Sequence, residues 1–127
     1  MGYTLKNAAG SDVVYGEFRH NGNRAEYIGP DHDDLKKDIL ILTSVSPKQT
    51  RDSRGNRKGS ANLVRTVPAP DLVEGQQVLK DMKLEISGSV PAGTSDEQVS
   101  EFAARLASLL ADPAIVKEIF QVGKIFK

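Results

Sequence analysis

The sequence predicts an α+β fold, an antiparallel sheet followed by two C-terminal helices. Three observations predict it. Short strand-like runs separated by turn signals fill the first two-thirds of the chain. Val78 to Val90 has alternating character, with Met82, Leu84, Ile86 and Val90 on one side and Asp81, Lys83, Glu85, Ser87 and Ser89 on the other. After Ser95 the apolar period becomes helical. Strands first and helices last is the α+β order.

The elements follow in turn. Tyr3 to Lys6 reads as a short strand, Asp12 to Arg19 as a second and Arg24 to Ile28 as a third, with Asn21-Gly22-Asn23 as the turn between the last two. Gly29-Pro30-Asp31 breaks the pattern. Ile39 to Val45 is the most β-like run. Pro47 to Gly59 contains no apolar residue and reads as a loop. Asn62 to Val67 is a further strand, and Pro68-Ala69-Pro70 and the residues to Gly75 read as a connector.

Ser95 with Gln98 three residues on has the form of a capping box for a helix carrying Val99, Phe102, Ala103, Leu106, Leu109 and Leu110 on one face. Asp112-Pro113 starts a second helix, with Ile115, Val116, Ile119 and Phe120 apolar and Gly123 as its stop. Both helices are amphipathic and need an apolar surface to cover, which the sheet's apolar face supplies. The opposite sheet face stays polar and open.

Composition narrows the function. The chain has 127 residues, which suits one domain, and 39% of them are hydrophobic, as in a globular protein. It carries 17 basic and 17 acidic residues, a formal net charge of zero that argues mildly against a free-standing nucleic-acid binder. No Cys is present, which excludes disulfides, thiol catalysis and Cys-ligated zinc. No run approaches membrane-spanning length and the start lacks a signal-peptide pattern, so a soluble, cytoplasmic protein is expected.

Catalytic signatures are missing. There is no G-x-S-x-G elbow and no phosphate-binding G-x-x-x-x-G-K-[ST] loop. The two imidazoles are His20, in a predicted turn, and His32. Asp31-His32-Asp33-Asp34 has metal-ligand chemistry, but its spacing matches no EF-hand and adjacent residues rarely all reach one ion. A solvated acidic turn is the plainer reading. Neither an enzyme, a metal site nor a cofactor is expected.

Charge is uneven along the chain. Lys48, Arg51, Arg54, Arg57, Lys58 and Arg65 lie in one stretch, opposed only by Asp52. Such a stretch is either a solvated loop or a phosphate-binding surface.

From Ile39 onward the chain resembles the coat proteins of leviviruses, the small single-stranded RNA bacteriophages. The resemblance rests on an ordered set: Leu42-Thr43-Ser44-Val45-Ser46, the basic loop ending Asn56-Arg57-Lys58, and Asn62 to Pro68. Met82 to Pro91, the turn Ala92-Gly93-Thr94-Ser95-Asp96 and Leu109 to Val116 complete it. It implies a single coat-protein domain over 1–127, with an N-terminal hairpin and short strand in 1–28, the main sheet in 36–91 and two helices in 95–122. It implies an intertwined homodimer whose helices pack on the partner's sheet. Dimers would form an icosahedral virion shell in the host cytoplasm, package genomic RNA and bind an RNA hairpin as translational repressor.

By the same resemblance, Ser44, Asn62, Lys83, Glu85 and Ser87 fall at RNA-facing positions, joined by the cations Arg54, Arg57, Lys58 and Arg65. Lys83 stands where some members place a stacking aromatic, and Glu85 where an amide can hydrogen-bond. No Phe, Tyr or Trp lies between Pro30 and Val99, so backbone-directed binding is the expectation. If Asn62, Val64 and Thr66 face the RNA, Arg65 faces away unless a bulge reverses it. Phe102, Leu106, Leu109, Ile119 and Phe120 would form the dimer interface. The apolar tail residues Ile125 and Phe126 suggest a docked terminus. The rival reading is a cellular dimeric nucleic-acid-binding module that builds no shell.

Overall fold

The computed structural model describes residues 2–70 and 75–123, so the apolar tail at Ile125 and Phe126 lies outside the described residues. The chain forms two compact units that meet at Pro91 and Ala92.

The first unit is one six-stranded antiparallel sheet in sequential order. Its strands are β1 (Tyr3–Lys6), β2 (Asp12–Asn21), β3 (Arg24–Ile28), β4 (Asp38–Val45), β5 (Asn56–Pro70) and β6 (Gln77–Pro91). The N-terminal hairpin therefore continues the main sheet. Each strand pairs with its chain neighbour because every connection is short enough for a hairpin-type return. Between β2 and β3 the turn is closed by Gly22 at φ 61°, a conformation glycine adopts without strain. The register of that pair shifts between Glu17 and Arg19, so Phe18 occupies a bulge.

Strand β5 outruns its sequence-based limits at both ends. β5 begins at Asn56, so Arg57, Lys58 and Gly59 belong to a strand and not to the preceding loop. These residues lack apolar periodicity, but pairing of Lys58 and Gly59 with Val45 and Ser44 on one side, and of all three with β6 on the other, fixes them. At its other end β5 runs through Pro68 and Pro70, which were expected in a connector. β4 begins only at Asp38, opposite Arg65, so the end of β5 has only β6 as a strand neighbour and its free side needs no N–H donor.

Register sorts the side chains into two faces, because directly paired residues project to the same side. On one face Tyr27, Leu40, Leu63 and Leu84 form a row, and Ala25, Leu42, Ala61 and Ile86 the next. On the other lie Glu26, Ile41, Asn62 and Glu85, then Arg24, Thr43, Ser60 and Ser87. The alternation read from β6 is thus the alternation of the sheet.

Little of this unit is buried. Among the described residues the buried hydrophobics are Tyr15 and Leu40, and the one buried charged residue is Asp38. The Tyr15 hydroxyl donates to Oδ1 of Asp38 at 2.8 Å, and the Gly29 N–H donates to the Asp38 carbonyl at 2.7 Å. This cluster pins the β3–β4 connector. Within it Arg65 pairs with Asp31 at 2.8 Å, the Asp38 N–H donates to Nδ1 of His32 at 3.3 Å, and Asp33 accepts from the N–H groups of Leu35 and Lys36. Asp31, His32 and Asp33 are therefore occupied in fixing this connector.

The second unit holds α1 (Asp96–Leu110) and α2 (Pro113–Lys117), the latter continued by a π-helical turn, Glu118–Val122. Ser95 caps α1 by accepting from the Gln98 N–H at 3.4 Å, and Asp112 caps α2 by accepting from the Ala114 N–H at 3.0 Å. Gly123, at φ 80°, closes the last turn with its N–H on the Glu118 carbonyl at 2.7 Å. Neither helix has a buried residue, and Phe102 is 70% exposed.

Candidate nucleic-acid interface

The polar face of the sheet is built by the register of β4, β5 and β6. No shift interrupts the β4–β5 or β5–β6 ladders. Asn62 pairs with Ile41 and Glu85, Ser60 with Thr43 and Ser87, Lys58 with Val45 and Ser89, and Val64 with Ile39 and Lys83. Small side chains dominate one part of this face and leave a depression of about 450 Å³. Thr43, Val45, Lys58, Ser60, Ser87 and Ser89 line it, with the backbone of Gly59 and Gly88 as its floor. The hydroxyls of Thr43 and Ser60 are hydrogen-bonded to each other, and Asn56 Nδ2 donates to Ser89 Oγ at 3.1 Å.

Of the expected RNA-facing residues, Lys58, Asn62, Lys83, Glu85 and Ser87 share this face. Ser44, Arg57 and Arg65 do not. Asn62 pairs with Ile41, so the β4 residues beside it are Ile41, Thr43 and Val45, and Ser44 points to the opposite side. Arg57 goes with Ser44: its Nη1 donates to Ser44 Oγ at 3.1 Å. Arg65 is also on that opposite face and is engaged by Asp31. The unbroken ladder settles the parity of Arg65. Arg54 lies in the exposed β4–β5 loop with Lys48 and Arg51. Gly55, at φ 80°, closes that loop against the Lys48 backbone, where a Cβ would lie 2.8 Å from the Lys48 nitrogen.

Charge on the polar face is mostly compensated. Lys83 Nζ lies 3.5 Å from Glu85 Oε2. Glu26 receives Arg24 at 2.9 Å on one oxygen and Arg19 at 3.5 Å on the other. Asp81 is gripped by Lys37 at 3.1 Å and by the Thr66 hydroxyl at 2.8 Å, and these contacts hold its carboxyl below the usual carboxylate range. Lys58 takes part in no ion pair among the described residues. The buried Oδ1 of Asn62 has no hydrogen-bond partner among them either. Thr43, Ser60 and Ser89 were not singled out from the sequence. Period-2 counting back from Asn62 would find Ser60 and onward from Ser87 would find Ser89, but Thr43 needs the register.

Solved structures of the same fold come from virus-like particles and from a bacteriophage capsid. The virus-like particle of Wenzhou levi-like virus 4 superposes with a TM-score of 0.76 at 25% identity, over 94% of this chain and 80% of that one. The chain has the levivirus coat-protein fold. The virus-like particle of bacteriophage AVE019 matches the same fold at a TM-score of 0.74 and 13% identity, over 94% of this chain and 93% of that one. The capsid protein of bacteriophage GA does so at 0.64 and 14%, over 94% and 93%. No protein-family profile and no curated protein matches the sequence. In this coat-protein fold the sheet and the C-terminal helices are the elements expected from the sequence. The family resemblance read there from Ile39 onward extends in the fold to nearly the whole chain.

Proposed function

We propose that this chain is the capsid protein of a small single-stranded RNA bacteriophage, a structural protein that dimerises, builds a shell and packages RNA. One observation carries the reading beyond the likeness of fold: the chain leaves its apolar faces uncovered. Leu63, Leu84, Ile86 and Met82 are 38–48% exposed on one sheet face, and Phe102, Leu106, Leu109, Ile119 and Phe120 are exposed in the helical unit. Monomeric proteins rarely expose contiguous apolar area on this scale. A second copy that lays its helices over this sheet face, and receives the reverse, would bury both sets. The folded unit is then the dimer, and its stability depends on protomer concentration.

The polar face and the β4–β5 loop are the surfaces suited to RNA. Lys48, Arg51 and Arg54 in the loop and Lys58 beside it supply phosphate contacts. The serine and threonine hydroxyls of the depression can hydrogen-bond to sugar and phosphate without reading sequence.

Size-exclusion chromatography of the recombinant chain, with absorbance at two wavelengths and electron microscopy of the earliest peak, tests the reading. Uniform round particles with nucleic-acid-like absorbance are expected. A small RNA-free dimer that forms no particles, even with RNA added, would replace the coat reading with the non-assembling binding module.

A further inference from the structure

We propose that Glu85 and Glu26 limit the RNA affinity of the polar face, by occupying in cis the cations that phosphate would otherwise take. The proposal rests on the RNA-packaging reading above and adds to it which residues set the strength of binding.

The pairing is a product of strand geometry. Lys83 and Glu85 are two apart on β6, as Arg24 and Glu26 are on β3, so each pair must project from the same face. Arg19 is the direct cross-strand partner of Glu26. The contacts follow: 3.5 Å for Lys83–Glu85, 2.9 Å for Arg24–Glu26 and 3.5 Å for Arg19–Glu26. Each carboxylate offers its cation the kind of anionic oxygen that a phosphate offers, so the two compete for the same donors. Glu26 spends both oxygens and its side chain is only 15% exposed, which makes it the tighter holder. Lys83 and Glu85 are about half exposed, so an incoming phosphate can contest that pair. RNA affinity scales with the number of phosphates neutralised, and this face has three of its cations already neutralised. Phosphate binding is thereby directed to Lys58 and the adjacent loop.

The test titrates the full-length chain into a fluorescein-labelled oligouridylate, read by anisotropy across a salt series. Wild type is compared with Glu85→Gln, Lys83→Ala and the double variant, each checked by circular dichroism. Glu85→Gln should tighten binding about two- to fivefold at low salt, the range of an exposed ion pair. It should also steepen the salt slope by about 0.7, one more phosphate on a single strand. Lys83→Ala should stay close to wild type, and the double variant should lose the gain. Glu26→Gln, freeing two arginines, should steepen the slope by roughly twice as much. Wild-type binding with no gain in either Gln variant overturns the proposal alone. So does a gain that survives in the double variant, whose net charge equals that of wild type, because it could not come from release of Lys83. A wild-type chain that binds no oligouridylate at any salt overturns the RNA reading itself.

Discussion

The Tyr15 hydroxyl sits 2.8 Å from Oδ1 of Asp38, and both residues are buried where, among the described residues, only Leu40 is buried besides as a hydrophobic or charged side chain. This contact ties β2 to the start of β4 across the intervening strand. Burial and the neighbouring carboxylate push the Tyr15 phenol up to about 12 from its ordinary 10. A proton held more tightly in the folded state contributes stability in full below pH 10, and that contribution is lost as pH rises towards 12. Replacing Tyr15 by Phe should lower stability by about 1–3 kcal/mol at neutral pH, since Asp38 loses a donor. It should also flatten the alkaline limb of a pH series of chemical denaturation.

Gly29 touches the same cluster. A Cβ there would lie 2.6 Å from Asp38 Cγ and 2.8 Å from Tyr15 Cε1. Gly29→Ala should therefore destabilise by about 1–3 kcal/mol, the cost of overpacking. Gly88→Ala, where nothing lies within 4 Å of the new methyl group, is the comparison that should stay near wild type in the same denaturation experiment.

Acid sensitivity should trace to Asp33 and Asp81. Backbone N–H groups of Leu35 and Lys36 lower the first, and Thr66 and Lys37 lower the second. A carboxyl held below its unfolded value contributes stability above that unfolded value, and loses it as pH falls through the folded one. Thermal melts of Asp33→Ala and Asp81→Ala between neutral and acid pH should converge on wild type at the acid end.

Strand parity predicts unequal roles for neighbouring cations. Lys58 shares a face with Asn62 and Lys83, whereas Arg57 is turned to Ser44 on the other side. Changing Arg54, Arg57 and Lys58 together to Ala should reduce the RNA retained in particles and flatten its salt dependence. Taken singly, Lys58→Ala should reduce the salt slope by about 0.7 and Arg57→Ala by much less. Equal effects from the two would mean that the polar face is not the RNA-facing one.

The helical unit carries the remaining prediction. Phe102→Asp or Leu106→Asp places a charge where a partner must cover apolar surface, and should give insoluble or unfolded protein in place of a folded monomer. Analytical ultracentrifugation of the soluble fraction, with circular dichroism, checks it. A stable, folded monomer would argue against the intertwined dimer.

Periodicity and caps were enough to determine the elements of this protein. The alternation of Met82, Leu84 and Ile86 against Lys83, Glu85 and Ser87 named the two faces of β6, and Ser95 and Asp112 marked the helix starts, because these signals depend only on neighbours within a few residues. Cross-strand partners are set by pairing over long separations, which local pattern does not encode. The structure therefore decided that Arg57 to Gly59 and Pro68 to Pro70 are strand, that Ser44, Arg57 and Arg65 leave the polar face, and that Thr43, Ser60 and Ser89 join Lys58 around one depression. It also decided which cations are free. A basic residue reads the same in sequence whether it is open to phosphate or, like Lys83 and Arg24, already held by a glutamate two residues away.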